Sequence, residues 1–484
     1  MTKTGKASAR KTIGVFTAHV GRLWGQDFMS GIAQAAQAQD LNLVIFAGGQ
    51  PSALITPGEF TASYGLYDLA KPGRVDGLIM AADIAHGVKP KDLKAFCEHY
   101  ASLPVVVNAI DIENATNLLS DNIGGMRAIV RHLIEVHGFK KLAFIRGIKD
   151  QVDSDQRFHA YREELKSHNI KFDEKLVTSG DFTTQGGRAA IRTLFDERKV
   201  KPDAIIAAND RMAFGAMEAL QQRGIKVPAD IAVTGFDDVR EAQSLGVPLT
   251  TVHQSFYNMG FQAVEALLGM MDGGPCQPQI KIPAEMVVRW SCGCLPESVA
   301  QAAVSQQEVA RTGRLEDKRD AAIRALMTVG KVVEDAPISK RYREACGQSW
   351  DALLAYLRED MGSETFLRAI QSLVMILQET DEEATLWHNV ISILRRHALA
   401  GISEQKATLK AENLFQQARM LVGELSQRAQ AFHRLKLEQQ EEILQGFSFS
   451  MAPAMSMAEI GKAVQENFPR MGIDYFYMLL YHDS

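Results

Sequence analysis

Residues 205–220 read IIAANDRMAFGAMEAL, and residues 231–238 read IAVTGFDD; these two stretches decide the fold. Each opens with a short, nearly uninterrupted apolar run, which is how a parallel strand buried on both faces reads. Each run then ends in short polar residues: Asn209-Asp210, placed to cap a helix, and the paired carboxylates Asp237-Asp238. Working outward, the same alternation repeats. Candidate strands are Thr12–Thr17, Leu41–Phe46, Asp76–Met80, Pro104–Asn108, Lys141–Arg146, Asp203–Ala208 and Ile231–Phe236. Helical patterns fall between them at Gln26–Gln39, Ile123–His137, Asp155–Ser167, Gln185–Glu197 and Arg211–Arg223. Strand–helix alternation with short loops predicts doubly wound α/β units. Ligands in such sheets bind at the carboxyl ends of the strands, so the residues just after each strand are where chemistry is expected.

Composition narrows the function. The net charge of −5 gives no global drive toward nucleic acid or an anionic membrane. Only the tail Met1–Lys11 is basic, with Lys3, Lys6, Arg10 and Lys11, and residues 1–10 read as a disordered tail. No secretory signal opens the chain, and no run approaches the ~18 apolar residues of a membrane span. Five cysteines, odd in number and sparse in a long chain, argue for a reducing cytoplasm over a disulfide framework. Neither a phosphate-binding G-x-x-x-x-G-K-[ST] loop nor a G-x-S-x-G nucleophile elbow occurs, so no catalysis and no cofactor are expected.

Metal binding is weighed and set aside at this stage. His132 and His137 flank Glu135, but five residues of ideal helix would set them about 140° apart, so they read as helix-end histidines before Gly138. Cys292-Gly293-Cys294 has the softness for a metal but no second ligand pair nearby in sequence.

Four further segments complete a pattern: LLSDNIGGMRAIVRHLIEVHG at 118–138, DQRFHAYREEL at 155–165, PLTTVHQ at 248–254 and VVRWSCGC at 287–294. Together with AANDRMAFGAMEAL and VPADIAVTGFDD, their order and spacing resemble the sensor core of the LacI/GalR repressors over residues 11–294. The resemblance implies a two-lobed periplasmic-binding-protein type I fold, with two doubly wound parallel sheets joined by three crossovers. The expected first lobe is Lys11–Leu118 plus Val252–Gln277; the second is Leu119–Thr251 plus Pro278–Cys294. The family's effector-binding positions fall on Arg157, Asn209, Asp237 and Gln254, with Phe182 and Phe256 near the apolar wall and Trp24 and Asn108 contributed by the first lobe. Arg donates, Asp accepts, and Asn and Gln do both, a mixture that suits adjacent hydroxyls, while aromatic faces suit the C–H face of a sugar ring. A nucleoside would use the same groups. The expected partners are therefore a sugar-like or nucleoside-like effector and a second copy of the chain. Family members carry a helix-turn-helix ahead of the sensor. Only residues 1–10 precede the first strand here, so DNA contact is expected only weakly or through another domain.

Beyond Pro296 the strand-like runs stop. Residues 297–405 read as a helical domain, broken at Pro337 and Gly401, and 406–447 as a long helix or coiled coil. Leu414, Ala418, Leu421, Leu425, Phe432 and Leu435 form a heptad-like seam, equally readable as an amphipathic face packed on its own domain. Residues 455–484, ending in the aromatic strand pattern Tyr475–Tyr481, look like the start of a GAF-like domain. That order resembles bacterial signalling proteins that continue into a diguanylate cyclase, a histidine kinase or an AraC-type output. The function expected is a ligand sensor in transcription regulation, or the input half of such a signalling enzyme.

Overall fold

The Val- and Ile-rich runs become strands because parallel pairing lets both of their faces be covered by helices. The computed structural model describes residues 10–19, 23–49, 64–85, 88, 90–108, 115–149, 151–300, 302–304, 314–330, 337–358, 361–378, 385–452 and 456–473. The basic tail before Arg10 and the Tyr475–Tyr481 pattern lie outside them. Two units divide at Pro296/Glu297.

In the first unit the order is β1 (Thr12–Thr17), α1 (Leu23–Ala38), β2 (Asn42–Ala47), β3 (Gly77–Met80), α2 (Pro90–Glu98), β4 (Val105–Asn108), β5 (Thr116–Ser120), α3 (Asn122–Glu135), β6 (Leu142–Arg146) and α4 (Val152–Ser167). Then follow β7 (Val177–Ser179), α5 (Thr184–Ile191), β8 (Ala204–Ala207), α6 (Asp210–Gln222), β9 (Ala232–Thr234), α7 (Glu241–Ser244), β10 (Thr251–Gln254), α8 (Phe256–Met271), β11 (Gln279–Ile282) and β12 (Ala284–Val287). The first lobe is a parallel sheet in the order β11-β5-β4-β3-β1-β2, and the second is β7-β6-β8-β9, also parallel. β10 bridges to the β9 side through Thr234↔Thr250 and Asp237↔His253, and pairs antiparallel with β12.

The lobe boundaries differ from the sequence expectation. β5 and β11 pair with each other at the edge of the first-lobe sheet, so the crossings fall after Ser120 and after Ile282. β10 belongs with the second lobe, and the remaining crossing falls between Gln254 and α8. The reason is register: the hydrogen bonds of β5 continue to Ser120 against Ile282, and only then does Asp121 cap α3.

Strand alternation builds the first-lobe core on both faces of its sheet. Ile13, Val15, Ile79, Val106 and Leu118 pack with α1 and α8, whereas Phe16, Leu78, Met80, Val105 and Val107 pack with α2 and Tyr67. α1 and α8 approach closely because glycines face each other. A Cβ on Gly31 would sit 2.0 Å from the Tyr257 carbonyl oxygen, and one on Gly260 2.0 Å from that of Phe28.

The second unit is helical: α9 (Glu297–Ala300), α10 (Arg319–Val329), α11 (Pro337–Leu357), α12 (Ser363–Gln378), α13 (Thr385–Leu399), α14 (Gln405–Met451) and α15 (Met457–Asn467). Trp350, Tyr342, Phe366 and Phe415 anchor its core, and Arg395 forks onto Glu412 at 2.6 and 2.8 Å. The seam on α14 divides in two. Leu414, Ala418 and Leu425 are buried in this unit's own core, so the amphipathic reading holds there and they are not available to a partner. Phe432 and Leu435, by contrast, are 71% and 51% exposed. No helix among the described residues is long and apolar enough to cross a membrane.

Gly260→Ala should destabilise the first unit by about 1–3 kcal/mol, because the new methyl meets backbone that cannot yield. Gly269→Ala, on the same helix with nothing within 4 Å, should instead stabilise it by up to about 1 kcal/mol. Urea denaturation of both variants checks the sign of each.

Candidate effector cleft

Arg157, on the second turn of α4, is 4% exposed and ties four segments together. Its Nε donates to Asn122 Oδ1 at 2.8 Å, and its Nη1 to the Ala208 carbonyl at 2.7 Å and to Asp237 Oδ1 at 3.4 Å. Its guanidinium carbon lies 3.7 Å from the centre of the Phe236 ring, which supplies a cation–π face. Asn122, the first residue of α3, is held in turn by donating to Asp153 and Gln156. The second terminal nitrogen of Arg157, Nη2, makes no hydrogen bond among the described residues.

Asp237 completes the cluster just beyond β9. Gln254 Nε2 donates to its Oδ1 at 2.7 Å, while its Oδ2 makes no hydrogen bond among the described residues and its side chain is 22% exposed. Burial pushes this carboxyl up to about 6, against the pull of Arg157 and Gln254. Below it, Asp210 is fully buried and accepts from Thr251 Oγ1 and the Val239 amide; burial and then the neighbouring Asp237 raise it well above the usual carboxylate range. Asp238 behaves oppositely. Burial raises it, but His253 and Arg289 outweigh that and hold it low, with Arg289 Nη1 donating at 2.6 Å.

Asn209 spends its side chain locally: Oδ1 caps α6 through the Met212 amide, and Nδ2 donates to the Phe182 carbonyl at 3.1 Å. Phe182 sits at φ +63°, with its ring laid against Gly147. Asp237 and Asp238 also have positive φ, +114° and +58°, so three non-glycine residues in left-handed backbone gather at these strand ends. Strain of that kind collects at functional sites and costs of order 1–3 kcal/mol per residue.

The first lobe contributes Asn108, buried at the end of β4 with no partner for its Oδ1 among the described residues. Phe256 opens α8 and packs on the first-lobe core. Trp24 lies on α1, and its side chain is outside the described residues. Thus Arg157, Asp237 and Gln254 are in direct contact, Asn209 and Phe182 adjoin them, and Asn108 and Phe256 come from the opposite lobe. Sequence reading passed over Asn122 and also Asp83, which accepts from Thr17 Oγ1 and the Ala18 and His19 amides and keeps a buried, unpartnered Oδ1. The Ser-Asp-Asn run ahead of a helix was the available signal for Asn122; Asp83 had none. A separate apolar groove of about 460 Å³, lined by Phe214, Met217, Ile225, Val227 and Leu245, lies at the far end of α6, away from the strand carboxyl ends.

The histidines and cysteines that sequence spacing kept apart come together in space. Helix α3 stops at Glu135, so the ideal-helix angle does not carry to His137; its ring folds back to 5.1 Å from that of His132. Cys292 and Cys294 arrive at the same point from the end of the unit.

Comparison with known proteins matches residues 130–292 to the family described as periplasmic binding protein-like domain. Over 172 residues the chain is 38% identical to the HTH-type transcriptional regulator CelR of Thermobifida fusca, covering 35% of this chain and 50% of that protein. Over 198 residues it is 32% identical to the ribose operon repressor of Escherichia coli (strain K12), covering 40% and 58%. The chain therefore spans about half the length of the curated relatives it matches. The transcription regulator CcpA of Lactococcus lactis shares the fold, with a TM-score of 0.50 at 22% identity over 58% of this chain and 99% of that one.

A carboxyl whose pKa rises on folding binds its proton more tightly in the folded state. Stability should therefore fall as pH rises from the ordinary 3.8 toward 6, with the loss complete above 6. Asp237→Asn, neutral throughout, should flatten this part of the profile by up to about 3 kcal/mol. Urea unfolding of both proteins at either end of the window measures it; equal pH slopes would show that Asp237 is not the titrating group.

Proposed function

We propose that the first unit, similar to the periplasmic binding protein-like domain of the LacI-family transcriptional regulators, senses a small, sugar-like effector in the interlobe cleft and serves transcription regulation or signalling without catalysis. The observation that carries this reading is the Arg157–Asp237–Gln254 cluster. It presents an open guanidinium nitrogen and an open carboxylate oxygen side by side at the strand carboxyl ends. Adjacent hydroxyls, each both donor and acceptor, satisfy such a pair. Asn108 offers an unpartnered acceptor from the other lobe, and Phe182 and Phe256 supply apolar walls. The relative named for a ribose operon agrees with a sugar-like ligand; a nucleoside remains the alternative that a ligand screen separates. We place the protein in the cytoplasm, with weak, non-specific DNA contact in this chain, in keeping with its net charge of −5.

A homodimer through the distal half of α14 belongs to the same proposal. Phe432 and Leu435 are both more than half exposed at consecutive seam positions of one continuous helix, and pairing with a second copy would cover them.

A thermal-shift screen of sugars, polyols and nucleosides should give a hit that stabilises by about 2.7 kcal/mol at 100 times its Kd. Asp237→Asn should weaken that hit at least ~30-fold, the smaller end of what losing one partner of a desolvated charged pair costs. Unchanged affinity would move the site elsewhere. Arg157→Ala is the poorer test, since its bonds to Asn122 and Ala208 make it structural in the ligand-free protein as well.

For the dimer, light scattering should show Phe432→Glu/Leu435→Glu at half the mass of wild type. Substitution of Leu425 would unfold the second unit instead. A double variant that keeps the wild-type mass removes α14 as the contact.

A further inference from the structure

The site that the effector reading leaves unused lies at the end of the first unit. His132 and His137 at the end of α3 meet Cys292 and Cys294, and the four potential ligand atoms all lie within 4.8 Å of one another. Cys294 Sγ is 3.6 Å from His132 Nε2 and 3.3 Å from His137 Nε2. A single tetrahedral ion with metal–sulfur bonds of about 2.3 Å and metal–nitrogen bonds of about 2.0–2.1 Å sets its sulfur–nitrogen edges near ~3.6 Å. We propose that His132, His137, Cys292 and Cys294 form a Cys2His2 site for one divalent ion of the zinc class.

The chemistry of the donors agrees. Two imidazoles and two thiolates around one centre suit a borderline-soft ion that accepts tetrahedral geometry. A bridged di-iron cluster, with the histidines on one iron and the cysteines on the other, would hold the pairs farther apart than one ion does.

Both halves of the site are held by bonds that need no metal. Ser291, between Trp290 and Cys292, accepts from the Thr250 amide at 2.8 Å and donates from Oγ to the Val233 carbonyl at 2.5 Å. Gly293 then turns at φ +102°, a conformation that L side chains rarely adopt, and the chain presents both thiols to one centre. On the other side, the Gly138 and Phe139 amides bond back to Ile134 and Leu133, which closes α3 and returns His137 toward His132. Four residues separate the histidines, within the H-x3–5-H spacing found in zinc modules. The ion would staple the last residues before Glu297 to α3 of the second lobe, at the point where the chain leaves the sensor for the helical unit.

The test uses the untagged full chain, purified in reductant, stripped with chelator and then given Zn2+ or Co2+ alone. One equivalent of zinc should survive desalting, and cobalt should show thiolate-to-metal charge transfer with the intense visible bands of a tetrahedral site. Zinc should also protect Cys294 from alkylation, read by mass spectrometry. Cys294→Ser should lose both signatures. His137→Ala, which leaves both thiols in place, covers the case in which the serine variant fails to fold; its zinc affinity should fall at least ~100-fold, since even outer-sphere partners are worth 10–100-fold. Zinc well below one equivalent, a weak octahedral cobalt spectrum, Cys294 alkylation indifferent to zinc, or a Cys292–Cys294 disulfide formed in the presence of reductant and zinc would each overturn the proposal.

Discussion

One buried guanidinium holds the strand carboxyl ends of the second lobe in place. Arg157, carried on α4, has water on almost no side, so its charge must be met by the protein, and it is met from the start of α3, the end of β8 and the loop after β9. A buried cation left without partners would cost several kcal/mol. The four segments are thereby obliged to converge, and convergence at strand carboxyl ends is what makes a cleft floor. The carboxylate that completes the set sits in left-handed backbone and protonates more readily than a free one. Both penalties are carried by the packed α/β body beneath, where β8 is fully buried and Phe236 backs the guanidinium.

Much of this was legible because the long signals are strong ones. Ala204–Ala207 is apolar along its whole length and Thr12–Thr17 carries no charge and is apolar between its two end threonines, and helical patterns fall between such strands. What sequence reading missed is short or polar. β5 (Thr-Asn-Leu-Leu-Ser), β7 (Val-Thr-Ser) and β11 (Gln-Ile-Lys-Ile) each have three to five residues and too little apolar character to stand out. Their existence depends on neighbours far away in sequence. β5 is a strand because β4 and β11 flank it, and that pairing moves the lobe boundary by two residues. Register between distant strands is a tertiary property that local propensity does not encode.

The candidate site residues divide in the same way. Arg157, Asp237 and Gln254 were singled out because each adjoins a recognisable element and matches a family pattern, and the structure brings them into contact. Asn209 is engaged differently. Its cap role, readable from Asn-Asp before an apolar helix, uses its carbonyl, and Phe182 takes its amide. The His–Cys cluster was rejected on an ideal-helix argument that fails once α3 ends two residues before His137. The distance in sequence between His137 and Cys292 hid the rest. Seams likewise mislead when only spacing is read: the same heptad pattern on α14 is core as far as Leu425 and solvent-facing at Phe432 and Leu435.

Under the proposed reading, the two lobes must do different work. A ligand shifts a conformational equilibrium only by its differential affinity for the two states. Contacts with Arg157, Asp237 and Gln254 lie within one lobe, so they persist whether the cleft is open or closed, and on their own they bind without switching. The switching contacts are those made only when the first lobe arrives: the unpartnered Asn108 acceptor and the apolar face of Phe256. Moving an equilibrium from 1:99 to 99:1 takes about 5.5 kcal/mol of such preference. One neutral hydrogen bond, at about 0.5–1.5 kcal/mol net, falls well short. Buried apolar area must supply most of the remainder, at roughly 25 cal/mol per Å², and this gives aromatic residues on both lobes a physical purpose. The crossings after Ser120, Gln254 and Ile282 are each a single residue long, short enough to restrict the motion to hinge-like closure over the Arg157 cluster.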